Sequence, residues 1–361
     1  MSLLDEARQI INEVDDKMAR LFVRRMEAVA MVAEHKKMHG LPVLDEAREE
    51  QVIRNGASRV EDDELRAYYV NFIRNNMALS RGYQHRLLQG MKVAYSGTEG
   101  AYAHIATGKL FPTAERVAFG NFTDAYRAVE AGECDAVVLP IENSSNGEVG
   151  QVTDLMFSGN LYINAVYDLA ISHDLLVLPG TAKKEIKTVI SHPQALGQCG
   201  EYIRTNGWQQ QEYLNTALAA KLVSETGDAS IAAIASEEAA EVFGLEVLER
   251  NVNASRTNTT RFAVFSRSEN LRAGVRMGEH FILVFTVKNE AGALAKAIDI
   301  IGQYGFNMGN LRSRPMKELL WQYYFYIEAE GSIHSEKGQA MLKELGAYCD
   351  RLKVVGSYVL A

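Results

Sequence analysis

The side chains able to do chemistry fall into two sets with different spacings. In the N-terminal segment Arg8, Arg25, Lys36, Asp45, Arg48, Glu49, Ser80 and Gln84 all fall on helical seams. Leu4, Ala7, Ile11, Val14, Met18 and Leu21 recur at spacings of three and four in a stretch, Ser2 to His39, without Gly or Pro. This predicts one helix about 57 Å long at roughly 1.5 Å per residue. Its seven-residue register puts Arg25 where the next apolar residue belongs, with Arg8 and Lys36 flanking the same seam. A guanidinium there is costly unless it meets an anion. After Leu41-Pro42, Asp45, Arg48 and Glu49 share one face of a second helix. A third helix, Asp63 to Leu88, carries Leu65, Tyr69, Phe72, Ile73 and Met77 inward, and Ser80 and Gln84 continue that face. Each polar residue alone could be a surface residue in an exposed ion pair. Together they suit a cationic pocket for a small anion, on a helix whose length calls for a partner, most simply a second copy of the chain.

The second set lies where strands end. In DAVVLPIENSSNGEVG, Asp135 to Gly150, the apolar run Ala136 to Ile141 reads as a strand buried on both faces. It stops at Glu142, Asn143, Ser144 and Ser145, at the strand end where open α/β sheets bind ligands, although a polar turn has the same composition. Two further polar clusters are Ser191 to Cys199 (SHPQALGQC) and Asn258-Thr-Thr260-Arg261-Phe262. Ser191 also reads as a helix N-cap before Pro193, and Arg261 as a surface cation on a strand. Around these clusters strands and helices alternate. Strands are expected at Lys92 to Tyr95, Ala136 to Ile141, Leu161 to Leu169, Asp174 to Val177 and Lys187 to Ile190. Helices are expected from Ala101, at Phe122 to Ala131, Gln151 to Phe157, Pro193 to Thr205 and Thr216 to Glu225, with an apolar element at Ser230 to Ser236. Two successive β/α sets predict largely parallel sheets in two lobes about a cleft.

The C-terminal segment reads βαββαβ: Phe281 to Val287, Gly292 to Tyr304, Phe306 to Arg314, Leu320 to Ala329, Ser335 to Cys349 and Lys353 to Leu360. That is a ferredoxin-like order, also compatible with a packing module that binds nothing.

With 361 residues the chain has room for about two to three domains. Its 47% hydrophobic and 23% charged residues are those of a globular protein, and the net charge of −8 disfavours a nucleic-acid surface. No apolar run approaches the roughly 20 residues that span a bilayer, and Met1 to Gln9 carries acids where a signal peptide would be basic, so a cytoplasmic protein without membrane contact is expected. Cys134, Cys199 and Cys349 form no CxxC pair, so no metal site is expected and buried free thiols are the simpler reading.

Three family resemblances run along the chain. Residues 1–89, through Arg8, Arg25, Lys36, PVLDEAREE and Ser80-Arg-Gly-Tyr-Gln84, resemble the all-helical chorismate mutases. The resemblance implies a three-helix, intertwined homodimer in which each site borrows Arg8 from the partner chain. Arg8 and Arg25 would clamp the two carboxylates of chorismate. Lys36 and Gln84 would donate to the breaking ether oxygen, Glu49 would accept from the ring hydroxyl, and Asp45, Arg48 and Ser80 would complete the pocket. Residues 91–268, through VAYSGTEGAYAHIA, PIENSSNGEV, ISHPQA and NTTRF, resemble prephenate dehydratase, whose two-lobed α/β fold is like that of type II periplasmic binding proteins. This resemblance makes Thr260 and Arg261 the leading catalytic and carboxylate-binding residues, with Glu142, Asn143, Ser191 and Gln198 lining the cleft. Asn258, Ser144, Phe262, Thr153 and Thr216 are weaker candidates. Thr260 would donate to the departing hydroxyl while Arg261 holds the substrate, and Glu142 is the competing proton donor if burial keeps it protonated. Residues 278–361 resemble an ACT domain. Gly292-Ala-Leu294 matches its Gly-Ala-Leu turn, and Arg312-Ser-Arg-Pro315 matches Glu-Ser-Arg-Pro with Arg for the acid. The resemblance implies phenylalanine as an inhibitory effector at Gly292, Ala293, Leu294, Asn307 and Ser313, between paired domains.

The expected protein is therefore a bifunctional mutase and dehydratase that needs no cofactor. Its rivals are a dehydratase with a non-catalytic helical dimerisation domain and a two-lobed solute-binding protein with a sensor domain.

Overall fold

The computed structural model describes residues 2–254, 257–269, 278–316 and 322–359. The chain divides into two compact units, Met1–Met91 and Lys92–Ala361. Among the described residues no helix is long and apolar enough to cross a membrane, and Cys134, Cys199 and Cys349 are free thiols, the first two buried.

The first unit is three helices, α1 (Leu3–His39), α2 (Glu46–Ala57) and α3 (Asp63–Gln89). Each starts on a side chain that accepts a free backbone N–H: Ser2 in a capping box with Asp5, then Asp45 and Asp62. Gly40 ends α1 in the left-handed conformation that favours glycine. Every residue of α1 before Arg25 is exposed, and Ala33 is the buried one. The expected apolar stripe is consequently on the surface of a single chain, with Ile11 and Leu21 56% and 63% exposed. On α3, Leu65 and Phe72 also face solvent, while Tyr69 and Ile73 are half-buried and Met77 is buried.

The second unit opens with β1 (Lys92–Ser96), α4 (Tyr102–Leu110), β2 (Glu115–Phe119), α5 (Phe122–Glu130), β3 (Ala136–Asn143), β4 (Gly147–Glu148), α6 (Gly150–Ser158) and β5 (Tyr162–Ala170). The chain then crosses to a second lobe: β6 (Asp174–Val177), β7 (Thr188–Ser191), α7 (Pro193–Gln198), α8 (Gly200–Thr205), β8 (Gln209–Glu212), α9 (Thr216–Thr226), β9 (Ile231–Ala235), α10 (Glu237–Phe243) and β10 (Glu246–Glu249). It returns as β11 (Thr259–Ser266), which runs antiparallel between β3 and β5. That return makes the first lobe's sheet mixed where a largely parallel one was expected. The long helix expected over Pro193 to Thr205 is two, meeting at Cys199. The strand β8, QQQE, escapes apolar patterning because it is an exposed edge.

β12 (Glu279–Thr286), α11 (Ala293–Gln303), β13 (Asn307–Pro315), β14 (Tyr323–Glu330), α12 (Glu336–Tyr348) and β15 (Arg351–Val359) complete the βαββαβ order. The strand limits expected at Leu320 and Leu360 lie outside the described residues. The C-terminal strands extend the first lobe's sheet: β15 meets β5 at Gly356 opposite Ile163. Gly356 has φ 147°, and a Cβ there would stand 2.2 Å from the Ile163 carbonyl oxygen, so glycine permits the junction. One apolar core runs across it, joining Leu139 and Met156 to Tyr326, Val355 and Tyr358.

Candidate active sites

In the first unit a cavity of about 340 Å³ is lined by Arg25, Lys36, Asp45, Arg48, Glu49, Ser80 and Gln84, drawn from all three helices. Arg25 donates to the Ser80 hydroxyl, and Ser80 donates to the Asn76 carbonyl at 2.7 Å. Lys36 Nζ donates to the Val43 carbonyl at 2.5 Å. Asp45 accepts the Arg48 N–H at 3.0 Å, so its carboxylate also caps α2. Gln84 is 7% exposed and its Oε1 has no hydrogen-bond partner, a cost that a ligand can remove. Arg81 also lines the cavity, ion-paired to Glu49, and sequence reasoning missed it. The signal was present: Met77, Ser80, Arg81 and Gln84 stand at i, i+3, i+4 and i+7 on one helical face. Four cations face two carboxylates, leaving two net positive charges in the cavity. Arg8 does not reach it. It lies on the exposed half of α1, about 25 Å up the helix from Arg25.

In the second unit a cleft of about 550 Å³ lies between the two lobes. Asn143, Gln198, Asn258, Thr260 and Thr216 line it as expected, and Glu142, Arg261, Ser191, Ser144, Phe262 and Thr153 do not. The pleat explains two of these corrections. Thr260 pairs with Asn143, and Arg261 with Glu142, across β11 and β3. Neighbours on a strand face opposite sides, so the pair that enters the cleft sends the other pair behind the sheet. There Glu142 meets Arg312 at 2.5 Å, while Arg261 binds Asp168 at 2.8 and 3.0 Å and stands 3.6 Å from Glu328. The Asp168 hydrogen bonds dominate the rise of the Arg261 pKa above its usual value. Ser191 is fully buried and donates to the Ile234 carbonyl at 2.5 Å, and the N-cap before Pro193 is His192. Phe262 is buried in β11 and Thr153 in α6, and exposed Ser144 ties itself to Thr257 and Thr259.

Glu148 borders the cleft as well, but it pairs with Glu142 across β4 and β3, so its carboxylate shares Glu142's side of the sheet and lies 3.5 Å from Arg314. Arg314 comes that close because residue 150 is glycine: a Cβ there would sit 2.2 Å from Arg314 Nη1. Sequence reasoning also missed Tyr102 and His173. The Tyr102 hydroxyl lies 2.5 Å from the Ser172 carbonyl and 2.9 Å from His173 Nδ1. His173 Nε2 lies 2.9 Å from Gln198 Oε1. Asn258 Nδ2 donates to Gln198, and Asn143 Nδ2 to both Asn258 Oδ1 and Thr260 Oγ1, each at 2.9 Å. Burial lowers the His173 pKa against the opposing Gln198 hydrogen bond.

Of the expected effector residues, Gly292 holds φ 84° ahead of α11, Ala293 opens that helix buried, and Leu294 packs on its core. Ser313 and Asn307 are exposed on β13. These two stand six positions apart, about 20 Å at roughly 3.3 Å per residue, so one chain does not gather all five around one small molecule.

Two family models match the chain, chorismate mutase type II over residues 7–85 and prephenate dehydratase over residues 93–270. The bifunctional chorismate mutase/prephenate dehydratase of Enterobacter agglomerans is 31% identical over 97% of this chain and 94% of the relative. Among solved structures, a prephenate dehydratase from Arthrobacter aurescens in complex with L-Phe aligns with TM-score 0.69 and 26% identity, over 74% of this chain and 90% of that one. GqqA, described as a quorum quenching acylase, aligns with TM-score 0.70 and 30% identity over 75% of this chain and 98% of that one. The second unit's fold thus carries more than one described activity, whereas the mutase match lies outside it and the Enterobacter relative spans both units. On that joint match, the chain belongs to the family of bifunctional chorismate mutase/prephenate dehydratases.

Proposed function

We propose that this protein converts chorismate to prephenate in its first unit and prephenate to phenylpyruvate in its second, with phenylalanine as feedback inhibitor, in the cytoplasm. The observation that carries the reading is the convergence of seven expected residues from three helices on one cavity with two net positive charges, matched to a dicarboxylate. Chorismate rearranges without a nucleophile, so the site has to hold a compact conformer and stabilise charge on the breaking ether oxygen. Arg25 and Arg48 bind carboxylate, Lys36 and Gln84 face the ether oxygen, and Glu49, steadied by Arg81, accepts from the ring hydroxyl. A two-fold dimer through the exposed α1 stripe would bring Arg8 of the partner subunit to each site. A merely dimerising helical unit would have no use for this charged, partly unsatisfied cavity.

In the cleft, Asn143 donates to the Thr260 oxygen, which leaves the threonine's own hydrogen free to face the substrate. Prephenate's ring carboxylate departs as carbon dioxide. The electrons of its carbon–carbon bond aromatise the ring and expel the hydroxyl, which leaves as water after taking up one proton. Thr260 stabilises that leaving group by hydrogen bonding. The lobes are arranged as in type II periplasmic binding proteins, with domain limits at 1–89, 91–268 and 278–361. Purified protein given chorismate, then prephenate, should form phenylpyruvate from both. Formation from prephenate alone would reduce the helical unit to a dimerisation device, and formation from neither would overturn the reading.

The segment 278–361 acts as an ACT module. Gly292, Ala293, Leu294 and Ser313 bind phenylalanine, and the partner subunit's Asn307 completes the pocket across a two-fold axis. Titration calorimetry should give binding heat at millimolar phenylalanine or below, with dehydratase turnover falling in parallel; neither heat nor inhibition would refute the assignment.

A further inference from the structure

Both crossings between the lobes meet the second lobe at one side chain. His173 lies on the crossing between β5 and β6, and Asn258 immediately precedes β11 on the crossing back. Each stands 2.9 Å from the same oxygen, Gln198 Oε1 at the end of α7. Gln198 thereby joins the second lobe to the row Asn258, Asn143, Thr260 in the first.

The direction of every bond in this row can be worked out. Asn143 Oδ1 accepts the backbone N–H groups of Ser145 and Asn146 at 2.9 and 3.0 Å, so its amide nitrogen must face Asn258 and Thr260. Asn258 then presents its oxygen to Asn143 and its nitrogen to Gln198, and Gln198 presents its oxygen. That oxygen can only accept, so His173 Nε2 must carry a hydrogen. The other ring nitrogen faces the Tyr102 hydroxyl, whose single hydrogen lies between two acceptors, Nδ1 and the Ser172 carbonyl. His173 is 4% exposed, and burial lowers its pKa, which favours the neutral ring with its hydrogen on Nε2.

We propose that His173 is a positioning residue of the dehydratase: its Nε2–H holds Gln198, and through it the second lobe, in register with the Asn143–Thr260 pair. The inference rests on the dehydratase reading for its kinetic consequence. Without that donor the oxygen keeps one partner, the link across the cleft weakens, and the wall facing Thr260 is no longer fixed. A misplacement of about 1 Å near reacting atoms can cost on the order of 100-fold in rate.

The test pairs two substitutions with one spectrum. His173→Gln places an amide N–H close to the position of Nε2, whereas His173→Asn reaches only the position of Nδ1. We expect His173→Asn to lower dehydratase kcat about 100-fold with KM within about threefold, and His173→Gln to recover to within about threefold of the parent. Equal losses in both variants, or a loss confined to KM, would overturn the proposal. In the unliganded full-length protein, ¹H–¹⁵N ring correlations should assign His173 as the Nε2–H tautomer at pH 7, and an Nδ1–H tautomer or an imidazolium would overturn it independently. If the parent protein fails to act on prephenate, the dehydratase reading falls, and the spectrum still decides the hydrogen-bond direction.

Discussion

Thr260→Val should lower dehydratase turnover about 1,000-fold, at the upper end of the 10²–10³ range for removing one preorganised hydrogen-bond donor, while chorismate rearrangement proceeds at the parent rate. Valine nearly preserves the volume and removes only the hydroxyl, the group that accepts from Asn143 and faces the cleft. Glu142→Gln is the matched comparison. Glu142 lies behind the sheet against Arg312, so its loss should cost less than about tenfold and should leave the acid limb of the pH–rate profile in place. Stopped assays of phenylpyruvate formation across pH decide the matter. A Glu142→Gln defect as deep as that of Thr260→Val, with the acid limb gone, would restore Glu142 as the proton donor despite its position.

Arg25→Ala and Arg8→Ala should each lower mutase turnover by at least about 100-fold, the scale for losing one preorganised charge, and mixing the two inactive proteins should restore about a quarter of the sites. The recovery follows from geometry. Arg25 lines its own chain's cavity, and Arg8, about 25 Å away on the exposed half of α1, can serve only another copy. In a mixed dimer one site has both arginines and the other has neither. The proteins should be mixed after reversible unfolding and assayed with chorismate, with circular dichroism verifying the helices. If Arg8→Ala alone keeps near-parental activity, the site is complete within one chain, and Arg81 supplies the second cation.

Much of this protein was legible in order along the chain. The mutase residues were readable because helical periodicity is local: seams three and four residues apart already tell which side chains share a face, and the structure collects seven of them in one cavity. The same rule, carried one residue further along α3, would have found Arg81. The strand from Ala136, expected to stop at Ile141 and running on through Asn143, and the C-terminal βαββαβ order were likewise readable from apolar runs and their punctuation.

What the sequence by itself determined, then, was which segments are helices and strands and which polar clusters sit at their ends. Only the tertiary structure decided which members of each cluster face the cleft. Thr260 and Arg261 are neighbours in one motif, as are Glu142 and Asn143, and nothing in their order says that the pleat sends one of each pair behind the sheet. Glu148, Tyr102 and His173 were invisible for the complementary reason. Their partners are Arg314, Ser172 and Gln198, and each meets its partner only through packing between elements that the chain order does not predict. Hydrogen bonds and ion pairs act over about 3 Å in space, whatever the separation along the chain, so the direction of a strand's side chains and the return of β11 between β3 and β5 had to be known before the site could be read.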